Sequence, residues 1–185
     1  MFGKCKRAGF TLIEILAVLV ILGLLAAIVP PLLRQARPAA EREKFITRLN
    51  AMMKFVWNNA IATGKIHRVN FDFKKKRVQA FIGGPKQQNP VPVRRTYFDP
   101  FFEIPKQLEV KNFYIEGKDE MTRYGPGKTS EETWFFVFPQ GLSQEVVINM
   151  IDTKDKVNGR RNRPVGLVLN PFSVQFEEYN VFKKP

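Results

Sequence analysis

The chain has 185 residues, the size of one domain or of one domain with an appendage, and 44% hydrophobic against 25% charged residues is enough for a packed core, which excludes wholesale disorder. Thirty Lys and Arg against 17 Asp and Glu give a net charge of +13 and a pI near 10.0, so the surface attracts polyanions, nucleic acid or an anionic membrane, without choosing between them. A single cysteine, Cys5, excludes an intramolecular disulfide and any cysteine-based metal site.

The first nine residues are basic through Lys4, Lys6 and Arg7 and end on the small pair Ala8-Gly9. From Phe10 to Val29 there follows an apolar run with one charge, Glu14. As a helix rising about 1.5 Å per residue, a run of about twenty residues matches the ~30 Å of a bilayer's hydrocarbon. The basic flank predicts a single span with the N-terminus in the cytoplasm and the residues beyond about 34 on the far side. A secretory signal puts its small-residue cleavage site after the apolar run; here the small pair comes first. A carboxylate inside such a run is expensive in lipid, which marks Glu14 as functional.

Basic leader, Gly9, Phe10 and then "FTLIEILAVLVILGLLAAIV", with Glu14 fifth after the glycine, resemble the class III signal of type IV pilins and type II secretion pseudopilins. The resemblance implies that a prepilin peptidase cuts between Gly9 and Phe10 and methylates the new N-terminal Phe10, so that residues 1–9 are lost. It also implies filaments in which apolar helices bundle side by side. Glu14 then faces the free α-amine of a neighbour's Phe10, each charge neutralising the other in low dielectric.

Next come Pro30, Pro31 and Pro38, which predict a kink or interruption of the helix. Beyond them Phe45, Ile46, Leu49, Met52, Met53, Val56, Trp57, Ala60 and Ile61 recur at spacings of one, three and four, the stripe of an amphipathic helix, and Gly64 stands as its stop. After Gly64 the period changes to two. "HRVNFDF" and "RVQAFI" flank "KKK" as a hairpin, and "FFEI", "LEVKNFYI", "TWFFVF", "EVVINMI", "VGLVL" and "FSVQFEEY" are further strand candidates. The fold class is α+β and pilin-like: a long N-terminal helix packed on antiparallel sheet. Its organisation is a leader over 1–9, an assembly helix over 10–29, a kinked linker and amphipathic helix over 30–64 and a β-rich head over 65–185. "RLNAMMKFVWNNAIATGKIHRVNFDF" and "FVFPQG" resemble the H-type minor pseudopilins of type II secretion and their type IV pilus relatives, the GspH/FimT family.

No catalytic constellation emerges. "YGPGKTS" at 124–130 lacks the glycine a phosphate-binding loop needs at Thr122, and a strand-like segment follows it. His67 is the one histidine, and Glu177 and Glu178 alternate faces on a strand. No enzyme, cofactor or metal is expected. "NGRRNRP" at 158–164 places Arg160, Arg161 and Arg163 in an exposed basic loop that could bridge successive phosphates. It resembles, one residue longer, a Gly-Arg-x-Arg element of DNA-uptake pilins. The expectation is therefore a minor pseudopilin of H type in the bacterial inner membrane with a periplasmic head, partnered by other pseudopilins or minor pilins, by the prepilin peptidase and by inner-membrane lipid before assembly. The alternative is a minor type IV pilin that captures DNA through the three arginines.

Overall fold

The structure, a computed structural model, describes residues 12–85, 89–93, 101–122 and 131–185, and within 26–38 the backbone alone. It divides into two units, Met1–Arg37 and Pro38–Pro185. One helix, α1, is assigned from Leu12 to Thr63. The interruption expected at Pro30, Pro31 and Pro38 is absent from that assignment. A helix-interior proline removes one backbone donor and costs about 3 kcal/mol, a local penalty that need not end a helix of 52 residues.

In the first unit Leu12–Leu25 carries large apolar side chains that stand exposed. Among the described residues no helix is long and apolar enough to cross a membrane; the remainder of the apolar run lies among residues whose side chains are not described.

Among its described residues the second unit contains the amphipathic part of α1 and ten strands. Five of them, β1 (His67–Asp72), β2 (Arg77–Ile82), β3 (Val91–Pro92), β4 (Phe101–Glu103) and β7 (Glu132–Val137), form a first antiparallel sheet in the order β3-β2-β1-β7, with β4 also on β2. The others, β5 (Leu108–Ile115), β6 (Lys118–Asp119), β8 (Val146–Val157), β9 (Arg161–Asn170) and β10 (Gln175–Tyr179), form a second in the order β10-β9-β8-β5-β6. Every pairing among the described strands is antiparallel, and short turns dictate it for β1–β2, β5–β6, β8–β9 and β9–β10.

The predicted stripe is the face of α1 that meets the sheets: Leu49, Met52, Met53 and Val56 are fully buried, each worth about 1.5–3 kcal/mol relative to exposure. Ile61, placed on the stripe by its spacing, is instead exposed. Trp57 lies at the edge of the packed face, where its indole Nε1 donates to Gly141 O at 2.9 Å. The helix ends at Gly64, whose φ of +64° is the left-handed conformation that a C-terminal cap requires. The two sheets meet through aromatic rings: Phe71 of β1 packs edge-on against Phe113 of β5 at 5.1 Å, and Phe135 of β7 against Phe176 of β10 at 6.3 Å.

Candidate functional site

Three sets of residues bear on function. The first is the start of α1. Gly9 and Phe10 lie outside the described residues. Glu14 lies in the first turn of the described part of α1. It stands among exposed apolar neighbours, Ile13 on one side and Ile15 and Leu16 on the other. A helix that is apolar all round has to be covered by something.

The second set is the arginine segment, and its conformation departs from the expected loop. Val146–Val157 and Arg161–Asn170 are paired strands, so "NGRRNRP" is the tip of the β8–β9 hairpin. Asn158 and Gly159 have φ of 53° and 69°, and Arg160 N donates to Val157 O at 3.3 Å, a turn centred on Asn-Gly within the three-residue connection 158–160. Arg160 and Arg161 are exposed, whereas Arg163 Nε donates to Asp155 Oδ2 at 2.7 Å and Arg163 Nη1 to Asn180 Oδ1 at 3.4 Å. The three arginines are thus near one another but not equivalent: two face solvent and the third is held by a carboxylate of its own hairpin.

The third set was not anticipated. Arg42, on α1 and almost buried, donates from Nη1 to Asp155 Oδ2 at 2.6 Å and to Asp152 Oδ2 at 3.1 Å, and from Nε to Glu178 Oε1 at 3.0 Å. Asp152 is fully buried, and its other oxygen, Oδ1, accepts the backbone N–H groups of Lys154 and Asp155, both at 3.1 Å. Burial works against the charge of Arg42, but its hydrogen bonds and the surrounding carboxylates, Asp155 foremost, raise its pKa. Burial likewise opposes the charge of Asp155, and the hydrogen bonds from Arg42 and Arg163 outweigh it and hold the carboxyl below its ordinary value. The cluster ties the helix to β8 and β10 and fixes the base of the arginine hairpin. Nothing local in the sequence announced it, because the partners of Arg42 lie 110, 113 and 136 positions away.

His67 is fully buried at the start of β1, with Nδ1 2.9 Å from Lys65 O and no hydrogen-bond partner for Nε2. Glu177 and Glu178 do point to different faces, Glu177 accepting from Tyr179 Oη at 2.8 Å and Glu178 from Arg42. "YGPGKTS" lies outside the described residues. Among the described residues no group of three or more His, Cys, Asp or Glu is placed to hold a metal ion.

Residues 4–30 match the family model described as the prokaryotic N-terminal methylation motif. The chain carries that motif. In sequence it is similar to type II secretion pseudopilins: it is 32% identical to the type II secretion system core protein G of Klebsiella pneumoniae over 83 residues, 45% of this chain and 56% of that protein. To the core protein G of Aeromonas hydrophila it is 29% identical over 96 residues, 52% of this chain and 62% of that protein. The chain thus spans little more than half the length of the curated relatives it matches. Two solved structures of the minor pseudopilin EpsH from the type 2 secretion system of Vibrio cholerae are similar to it at 11% and 10% identity, covering 75% and 77% of this chain and 92% and 93% of theirs, with TM-scores of 0.46 and 0.48.

Proposed function

We propose that this chain is a pseudopilin of a type II secretion apparatus, held in the inner membrane by residues 10–29 until Phe10–Val29 is inserted into the bundle of helices at the core of a pseudopilus. The observation that carries this is the conjunction at the N-terminus: a methylation motif over residues 4–30, followed by an apolar helix that leaves its large side chains exposed and keeps a carboxylate, Glu14, in its first turn. A lone apolar anchor needs no carboxylate; a helix packed against like helices gains from one that neutralises a neighbour's terminal amine. The head is periplasmic in this proposal and its role structural. Its partners are other pseudopilins, and the peptidase that processes it cuts between Gly9 and Phe10.

Within that role we place it as a minor subunit of H type, on the resemblance of residues 48–73 and 136–141 to that group. The similarity to core protein G makes copy number the deciding quantity. A few copies per purified pseudopilus agree with the minor position, and a chain that alone makes up the body of the filament overturns it. The role itself is tested with Glu14→Ala. The variant is expected to insert into the membrane and to lose its leader as the wild type does, yet to be missing from sheared filaments; incorporation at the wild-type level would sink the assembly role.

The DNA-capture alternative retains two exposed arginines, Arg160 and Arg161, with Arg163 engaged by Asp155. Two exposed guanidiniums, neither of which lies over an aromatic ring among the described residues, offer weak, salt-sensitive phosphate contact.

A further inference from the structure

The β8–β9 hairpin carries Lys154, Lys156, Arg160, Arg161 and Arg163 against one acid, Asp155, over residues 154–163, and its direction follows from its contacts. Along α1, Asn50 is bonded to Phe176 and Arg42 to Glu178, so β10 runs against the helix, toward the end at which the chain enters this unit. Strand β9 is antiparallel to β10 and β8 to β9, so β8 runs the same way as β10. Asp152 lies beside Arg42 and pairs with Arg163, and past a bulge in β8 Val157 pairs with Arg161, so the hairpin runs on in the same direction for two residues of β9, roughly 7 Å at about 3.3 Å each, before its turn. The hairpin tip therefore lies past Arg42, at the end of this unit where the chain enters it.

The tip is cationic without compensation. Lys154, Lys156, Arg160 and Arg161 are exposed, and among the described residues none of them is in an ion pair. The only acid on this part of the hairpin, Asp155, is consumed by Arg42 and Arg163. Glu41 and Glu43, exposed on the helix, are the nearest acids in sequence to Arg42 and belong to another element. Val157, 37% exposed, adds an apolar side chain at the turn. Exposed cations around one apolar residue at the end of a hairpin match the charge and polarity of an interface between anionic headgroups and acyl chains.

We infer that the β8–β9 hairpin tip, through Lys156, Arg160 and Arg161 with Val157 between them, rests on the anionic headgroups of the membrane in which the subunit waits before assembly. The inference builds on the proposed span through Phe10–Val29, which tethers the head within reach of the bilayer: the 12 residues between Val29 and Arg42 cover at most about 40 Å when fully extended. Each cation is attracted to an anionic surface, so three at the tip bias a tethered head toward lying hairpin-down. The Asp155 link to Arg42 and Arg163 supplies the rigidity that transmits this contact to the whole head. Leaving the membrane for the filament then costs these contacts, and a membrane low in anionic lipid would release the head more readily.

The test uses the full chain with Cys5→Ser and an environment-sensitive dye on Asn162→Cys, an exposed site opposite Lys156. The protein is reconstituted in phosphatidylcholine vesicles with and without about one third phosphatidylglycerol, each carrying a headgroup-borne quencher. Flotation with the neutral vesicles reads the span. Quenching at the dye reads the hairpin and is expected to be about ten-fold stronger on the anionic vesicles, and to vanish in high salt and in a Lys156→Glu, Arg160→Glu, Arg161→Glu variant whose circular dichroism is unchanged. Equal quenching on both lipids, or quenching indifferent to the three reversals, overturns the inference. Failure to float with neutral vesicles removes the span instead, and the hairpin is then judged by adding the protein to anionic vesicles, where absence of salt-sensitive quenching overturns it. A short DNA duplex that strips the hairpin from anionic vesicles at physiological salt reassigns the tip to nucleic acid and likewise overturns it.

Discussion

Between Leu12 and Leu25 the large apolar side chains are exposed, Leu12 at 81% and Leu25 at 53%, whereas further along the same helix Leu49, Met52, Met53 and Val56 are at 0%. Residue type and secondary structure are shared; the difference is what the rest of the chain brings to each. The amphipathic half meets two sheets whose inner faces supply Phe71, Phe113, Phe135 and Leu167, while Leu12–Leu25 is apolar apart from Glu14 and leaves its large side chains exposed. Charge follows the same division. The buried Arg42 finds three carboxylates inside the chain, and Glu14 stands on an apolar helix surface that, in the role proposed above, is covered by lipid or by neighbouring helices. One region buries its apolar face internally; the other leaves its apolar side chains exposed.

Breaking the internal region at its charge cluster gives the largest expected effect. Arg42→Met leaves Asp152 buried without its cation, and loss of one partner of such a pair costs about 3–5 kcal/mol. Urea unfolding of the full chain in detergent should register that loss, while flotation with vesicles stays as in the wild type. A loss below about 1 kcal/mol would mean that solvent reaches Asp152 and that the cluster is peripheral. The same cluster sets an acid limit. Asp155 has a folded pKa below its ordinary value, so its contribution is present above that ordinary value and is lost as pH falls through the folded one, a decline that Arg42→Met should flatten.

A smaller break is available at the C-terminal tail, which is folded onto the outer side of the second sheet. The buried side chain of Asn149 acts there as a surrogate peptide group: its Nδ2 donates to Lys183 O at 2.8 Å and its Oδ1 accepts Lys183 N at 2.9 Å. Gly166 lies beneath this crossing, and a Cβ there would run into the carbonyl oxygen of Val181 at a separation real side chains do not show. Gly166→Ala should therefore lift the tail, expose Asn149 unpaired and cost about 1–3 kcal/mol. Hydrogen exchange at the Lys183 amide should accelerate in the variant before the amides of β8 do. Unchanged exchange at Lys183 would show that the strand shifts to admit the methyl group.

How much of this could be read beforehand follows from how local each feature is. The helical stripe, the cap at Gly64 and the extent of β5, Leu108–Ile115, were legible because each rests on spacing or on a single residue's backbone preference. The hairpin at Asn158-Gly159 was also legible in principle. Asn-Gly between two apolar segments is a strong turn signal, but the arginines and Pro164 drew the eye to a loop, and Pro164 is tolerated in β9. Strand order, the two-residue strands β3 and β6 and the partners of Arg42 were not legible. They arise from which sheet faces meet, a property that no window of the sequence contains.

The smallest effect sharpens the comparison by titration, since a group that the head buries should move stability where an exposed one would not. His67 is fully enclosed, with Nδ1 satisfied by Lys65 O and Nε2 unpartnered, and burial lowers its pKa despite that backbone contact. The folded state therefore holds the imidazole neutral while the unfolded chain takes up a proton near pH 6.5. Below that pH the unfolded state binds more protons, so stability is complete above it and declines on acidification, by at most about 1.4 kcal/mol per pH unit. The melting temperature of the wild type should fall between pH 7.5 and 5.5, in about the range where this group titrates. His67→Gln, which keeps a polar side chain but cannot titrate, should lose most of that slope. A slope that persists in the variant would place the titration on another group and leave His67 as packing alone.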